Sequence, residues 1–168
     1  MKIFWIGALC FAIAMAAQGQ TQTAAAQGAA TETKTSRQVL TQFFDRLGKK
    51  QQDQVLVLFA DDAYILAVRK DKLAGFPVYG EYRGTAQVES WFESLAAVFD
   101  TKSFNVRKIV AEGNTAVAYG DFMHVLKSTG REFPSEWVLI IETENGKIKT
   151  YRFYEDSAKV VDAMQTRK

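Results

Sequence analysis

The period of the apolar side chains changes once along the chain, near residue 100. Before that point they recur at helical spacing. Val39, Leu40, Phe43, Phe44 and Leu47 form one stripe, preceded by Ser36 as a capping residue and stopped by Gly48. Asp53 is placed to cap a short second helix carrying Val55, Leu56, Leu58 and Phe59. A strand over 63–69, AYILAVR, is rich in β-formers and leads into a loop with Gly75 and Pro77. A short extended piece, Val78 to Arg83, follows. Thr85 is placed to cap a third helix whose Val88, Trp91, Phe92, Leu95, Val98 and Phe99 share a face. Beyond residue 100 the period becomes that of strands, with segments near 103–111, 115–127, 131–143 and 147–155. Gly113-Asn114, Thr129-Gly130 and Asn145-Gly146 separate them as hairpin turns, Asn-Gly being the strongest signal. Four strands so joined predict an antiparallel meander, and Asp156 is placed to cap a last short helix with Val160, Val161 and Met164. Helices first and sheet afterwards predict an α+β fold, the helices lying on one face of a curved sheet.

One strand is apolar at both parities: Trp137-Val138-Leu139-Ile140-Ile141. Both of its faces therefore call for burial. Helices can cover one. The other is expected to meet a second subunit, giving a homodimer through the sheet. Cover by the C-terminal helix or a loop is the alternative.

The first 17 residues hold a single Lys2, an apolar run and Ala14-Met15-Ala16, the pattern of a cleaved signal peptide. Residues 18–36 are polar and small, without aromatic or branched aliphatic side chains, and predict a flexible linker. The globular domain is then 37–168. These features predict a secreted or periplasmic protein with no stable membrane span after cleavage, an uncleaved anchor being the alternative. Cleavage would also remove Cys10, the one cysteine, and with it thiol chemistry and disulfides.

Composition narrows the chemistry further. A net charge of +2 with only short basic clusters argues against nucleic acid as partner. One histidine cannot build a multi-histidine metal site, and no phosphate loop, serine elbow or metal-ligand spacing appears, so neither metal nor cofactor is expected.

The order α-α-β-β-α and then a β-meander, with Leu58-Phe59-Ala60-Asp61-Asp62-Ala63 ending the second helix, resembles the nuclear transport factor 2-like superfamily. Within it the chain is most similar to ketosteroid isomerase and SnoaL-like polyketide cyclase relatives. Tyr82-Arg83-Gly84-Thr85-Ala86, Asn145-Gly146-Lys147-Ile148 and Tyr154-Glu155-Asp156 carry the rest of the likeness. The resemblance implies a cone-shaped half-barrel with the three N-terminal-half helices packed on its concave face, an apolar cavity between them, and frequent dimerisation. It places the isomerase base at Ala67, the phenol donor at Phe43, and the acid donor at Val138 or Trp137, none of which carries the required group.

The expected ligand-lining residues are Phe43, Tyr64, Phe92, His124, Val138 and Tyr154. His124 shares strand parity with Phe122 and is a candidate acid, base or donor; a histidine at a sheet surface or subunit interface is the alternative. Glu136 shares parity with Val138 and Ile140, and is a candidate base if that face lines the cavity, or else a solvated strand end. Asp61 and Asp62 read as structural junction residues. In the last strand Arg152 and Tyr154 point one way, Tyr151, Phe153 and Glu155 the other, and one set should face the cavity mouth. The first function expected is binding of a small apolar or aromatic molecule. An isomerase, cyclase or lyase using His124 and Glu136, and a non-catalytic homodimeric scaffold, are the alternatives.

Overall fold

A computed structural model describes residues 33–165. The expected signal peptide, 1–17, and most of the expected linker lie outside the described residues. The chain runs α1 (Ser36–Gly48), α2 (Gln52–Leu56), β1 (Phe59–Ala67), β2 (Gly80–Arg83), α3 (Gly84–Val98), β3 (Phe99–Glu112), β4 (Thr115–Leu126), β5 (Glu132–Glu144), β6 (Lys147–Glu155) and α4 (Ser157–Met164). The strands form one curved six-stranded sheet in the order β2-β1-β6-β5-β4-β3. All three turns expected from sequence lie between the strands of the β3–β6 meander. The sheet is mixed, because β1 lies parallel to β6.

That parallel pairing accounts for the largest departure from the local pattern. Helix α2 ends at Leu56, and Phe59 already stands in a strand, where the sequence carried the helix through Phe59 and started the strand at 63. The Ile148 N–H donates to Leu58 O at 2.7 Å and draws this stretch into the sheet from a distant part of the chain. Long-range pairing here outweighs helical spacing.

The helix caps differ for local reasons. Thr35, not Ser36, caps α1, closing a capping box with Gln38. Ser36 is buried, and its hydroxyl reaches Gly113 O at 2.9 Å and Thr115 O at 3.1 Å, tying α1 to the β3–β4 hairpin. The folded domain thus begins ahead of residue 37. Gln51 precedes α2 without a side-chain cap, so Asp53 lies inside the helix. Helix α3 starts at Gly84, φ 73°, and Thr85 sits in its first turn, its hydroxyl reaching Asp61 O at 3.4 Å. Asp156 caps α4 as expected, and the buried face of that helix is Val160 and Ala163, with Val161 exposed.

The core lies between the concave face of the sheet and α1 and α3. Phe43 of α1 meets Phe44, Phe59, Phe92 and Tyr151 with ring centroids 5.3–6.4 Å apart, an aromatic layer rather than an aliphatic one. The Trp91 indole anchors α3 by donating to Val78 O at 2.9 Å. Along β5, Trp137, Leu139 and Ile141 are buried on the concave side. Val138 on the other parity is 37% exposed. Helix α4 leaves that outer face uncovered, because it docks elsewhere: Thr129 donates to Ala163 O at 2.9 Å and Arg131 to Asp162 O at 2.6 Å.

Candidate functional site

A cavity of about 580 Å³ opens between α1, α3 and the concave face, the size of a site for a small organic molecule. Exposed Lys50, Gln51 and Gln52 on one side and Thr101 and Val106 on the other form its rim. Its walls are Phe43, Phe92, Trp91, Phe99, Tyr151 and Phe153. Val68, at the end of β1, lines it in a left-handed conformation, φ 64°, which a β-branched residue rarely adopts. Its N–H donates to Phe153 O at 2.8 Å, so the strained turn is held against the last strand.

His124 and Glu155 are the imidazole and the carboxyl that reach the hollow, beside the phenols of Tyr79 and Tyr151. His124 lies stacked between Phe99 and Phe122, centroids 4.7 and 4.0 Å away, and its Nδ1 has no partner among the described residues. Burial lowers its pKa to about 4, so the imidazole is neutral at physiological pH. Glu155 ends β6 and accepts a hydrogen bond from the Tyr79 hydroxyl at 2.5 Å. Burial raises its pKa to about 7; the phenol's hydrogen bond opposes that rise and the neighbouring Asp156 charge adds to it. Tyr79 and Tyr151 are pushed above the ordinary phenol range, chiefly by burial.

Of the residues expected to line the cavity, Phe43, Phe92 and His124 do so. Tyr64, Val138 and Tyr154 do not: strand parity puts them on the convex face. Tyr64 donates to Glu81 there, with the Arg83 guanidinium 4.3 Å above its ring. Val138 stands directly between Tyr119 and Tyr154 in the strand register, all three exposed. Glu136 shares that face and is bound by Arg107 at 2.7 Å, which also holds Asp121 at 2.9 Å. The one condition attached to Glu136, that its face line the cavity, is not met. It joins no dyad with His124.

The three isomerase-type positions remain without proton-handling groups. Ala67 and Phe43 line the cavity, Trp137 is buried on the concave side, and Val138 faces outward. Asp61 and Asp62 are exposed in an irregular stretch of β1, where Lys149 pairs with Asp62 and lowers its pKa. Among the described residues no cluster of three histidine, cysteine or carboxylate side chains could hold a metal, and no helix is long and apolar enough to cross a membrane.

Glu155 is the residue that sequence reasoning passed over. Its parity with Tyr151 and Phe153 was visible; which of the two parities faced inward was not. The Tyr79 that bonds it, expected within the extended piece from Val78 to Arg83, lies in the loop before β2, which begins at Gly80.

No curated protein matches this chain. Among solved structures, an NTF2-like protein of Burkholderia xenovorans LB400 superposes with a TM-score of 0.69 at 22% identity, covering 79% of this chain and 99% of that one. An NTF2-like protein of Burkholderia thailandensis E264 gives 0.66 at 22% identity, over 79% and 98%. TerC, co-crystallised with polyporic acid, gives 0.66 at 12% identity, over 76% and 96%. At these identities the likeness shows the fold. The model of the SnoaL-like domain family matches residues 40–151, from the first helix to Tyr151 in the last strand. The chain therefore belongs to the SnoaL-like domain family, and its fold is that of NTF2-like proteins.

Proposed function

We propose that this protein binds a small apolar or aromatic molecule inside the cone. The observation that carries the reading is the cavity itself: about 580 Å³, walled by aromatic rings, with no carboxyl or hydroxyl at the three positions where an isomerase keeps its proton-handling groups. A fold relative co-crystallised with a small molecule, polyporic acid, supports a small-molecule ligand. Ala96 is exposed on α3 and lines the cavity, so a large side chain there obstructs the hollow without entering the core. Ala96→Trp is expected to weaken binding of a fluorescent apolar probe about tenfold, some 1.4 kcal/mol, with an unchanged melting temperature. A probe that binds the variant as tightly as the original protein sits elsewhere.

Acid–base catalysis is the second reading, and Glu155 is what favours it. A carboxyl that titrates near neutrality in a ligand-sized hollow is suited to moving protons. Such chemistry would use Glu155 rather than Glu136. Export belongs to the proposal as well, resting on Lys2, the apolar run and Ala14-Met15-Ala16.

We also propose a homodimer through the convex face. The exposed row Tyr119-Val138-Tyr154 crosses three adjacent strands, and Val117 and Ile140 stand paired beside it. A contiguous apolar patch of this kind is ordinarily covered. Sedimentation equilibrium is expected to give twice the chain mass, falling to the monomer in Val138→Asp; a monomeric parent protein would remove the proposal.

A further inference from the structure

Glu155 lacks a countercharge. Its Oε1 accepts from Tyr79, and no other hydrogen bond or ion pair reaches the carboxyl among the described residues. The basic groups nearby are engaged or distant in role: Arg69, which acts on Tyr79, lies 3.8 Å from Asp71, and Lys50 stands exposed at the rim. The next residue, Asp156, adds negative charge. Facing the carboxyl is a hollow lined by Tyr79, Tyr151, Phe153 and Phe99. A carboxylate beside water-excluding aromatic rings is costly when alone and is stabilised by a cation, which the ring faces also attract.

We propose that the ligand carries a basic amine on its apolar body and that Glu155 receives that amine. This deepens the small-molecule reading above and rests on it. The Tyr79 hydroxyl fixes one carboxyl oxygen and leaves the other for the incoming N–H group. His124, neutral and lining the same cavity, adds no positive charge that would repel a cation. An anionic head set directly against the carboxylate would meet the negative charges of Glu155 and Asp156 and is disfavoured at that end of the cavity.

Amine binding also acquires a pH dependence with a definite sign. Tyr79 from the loop before β2, Tyr151 on its own strand and Asp156 beside it act on Glu155; His124 on β4 and Lys50 at the rim line the same cavity, and Arg69 after β1 acts on Tyr79. His124 is neutral above about pH 4, and both phenols are held above their usual range. Ionisation of Glu155 near pH 7 therefore governs the change, and amine affinity rises as pH rises through it.

Equilibrium dialysis of the full-length protein tests this with naphthylmethylamine, its neutral isostere ethylnaphthalene, and naphthylacetate. Near pH 8 the amine is expected to bind about tenfold tighter than ethylnaphthalene, with naphthylacetate weakest. The preference should shrink severalfold near pH 6. Glu155→Gln should abolish it while ethylnaphthalene affinity stays within about twofold. Tyr79→Phe, a milder variant, should move the onset of the preference to higher pH, because the carboxyl loses its one stabilising donor. Equal binding of amine and isostere, or a preference unchanged in Glu155→Gln, overturns the amine inference and leaves the cavity reading standing. Failure of all three probes to bind overturns both.

Discussion

Gly120→Ala is expected to destabilise the domain by about 3 kcal/mol and to lower its melting temperature by about 10 °C. Gly120 sits in the middle of β4, facing Val106 on β3 and Trp137 on β5. A Cβ built there would lie 1.8 Å from Asn105 O and 2.8 Å from Trp137 Cζ2. The first contact is with backbone, which no rotamer change relieves. The strand beside it is already irregular, shifting register between Val106 and Lys108. Relief would require β3 to move off β4 and Trp137 to shift in its stack with Phe104, centroids 4.7 Å apart. Trp137 and Phe104 help close the concave face, so the same variant is expected to lose ligand binding. Urea unfolding checks the stability; an unchanged midpoint would show that β3 yields freely and that the close approach carries no constraint.

The second large effect is a pair of opposed pH dependences hidden in one cavity. Glu155 has its pKa raised from 4.5 to about 7, so between those values the folded protein keeps a proton that the unfolded chain has released. Stability contributed by this group therefore falls as pH rises across the window. His124 has its pKa lowered from 6.5 to about 4, so there the unfolded chain holds the extra proton. Its contribution grows as pH rises from about 4 to 6.5. Each shift corresponds to at most about 3.5 kcal/mol at about 1.4 kcal/mol per pH unit. The two slopes nearly cancel between pH 4.5 and 6.5 in the parent protein.

Single variants should expose each slope. Glu155→Gln is expected to gain stability from about pH 4 to 6.5, because only His124 then titrates within the cavity. His124→Phe suits the stack between Phe99 and Phe122 and removes the unpartnered nitrogen. It should lose stability from pH 4.5 to about 7, following Glu155 alone. Urea midpoints across this range read both. If the two variants show the same pH profile as the parent, neither group is withdrawn from water as the fold places it.

Turn chemistry and periodicity made much of the fold legible in advance. The hairpin turns follow from glycine and asparagine, which accept positive φ: Gly113, Asn145 and Gly146 all adopt it. The aromatic stripe of α1 and the apolar face of α3 follow from side-chain spacing. The end of α2 did not, because the pull of β6 on Leu58 and Phe59 acts across the whole domain. The site was legible in part. Phe43, Phe92 and His124 reach the cavity by the parity that placed them, whereas Tyr64, Val138 and Tyr154 share a strand face that happens to be the outer one.

The sequence by itself determined the order of helices and strands, the hairpin positions, the family likeness and the absence of isomerase-type groups at their usual positions. These depend on local conformational preference and residue identity, which need no neighbour to be read. Only the tertiary structure decided which side of the sheet is concave, and so which carboxylate lies inside. Alternation divides a strand into two faces but assigns neither; the curvature of the sheet and the packing of α1 and α3 make that assignment. They turned Glu136 to the solvent beside Arg107, and brought Glu155 under the Tyr79 hydroxyl in a hollow where its proton and its partner become matters of chemistry.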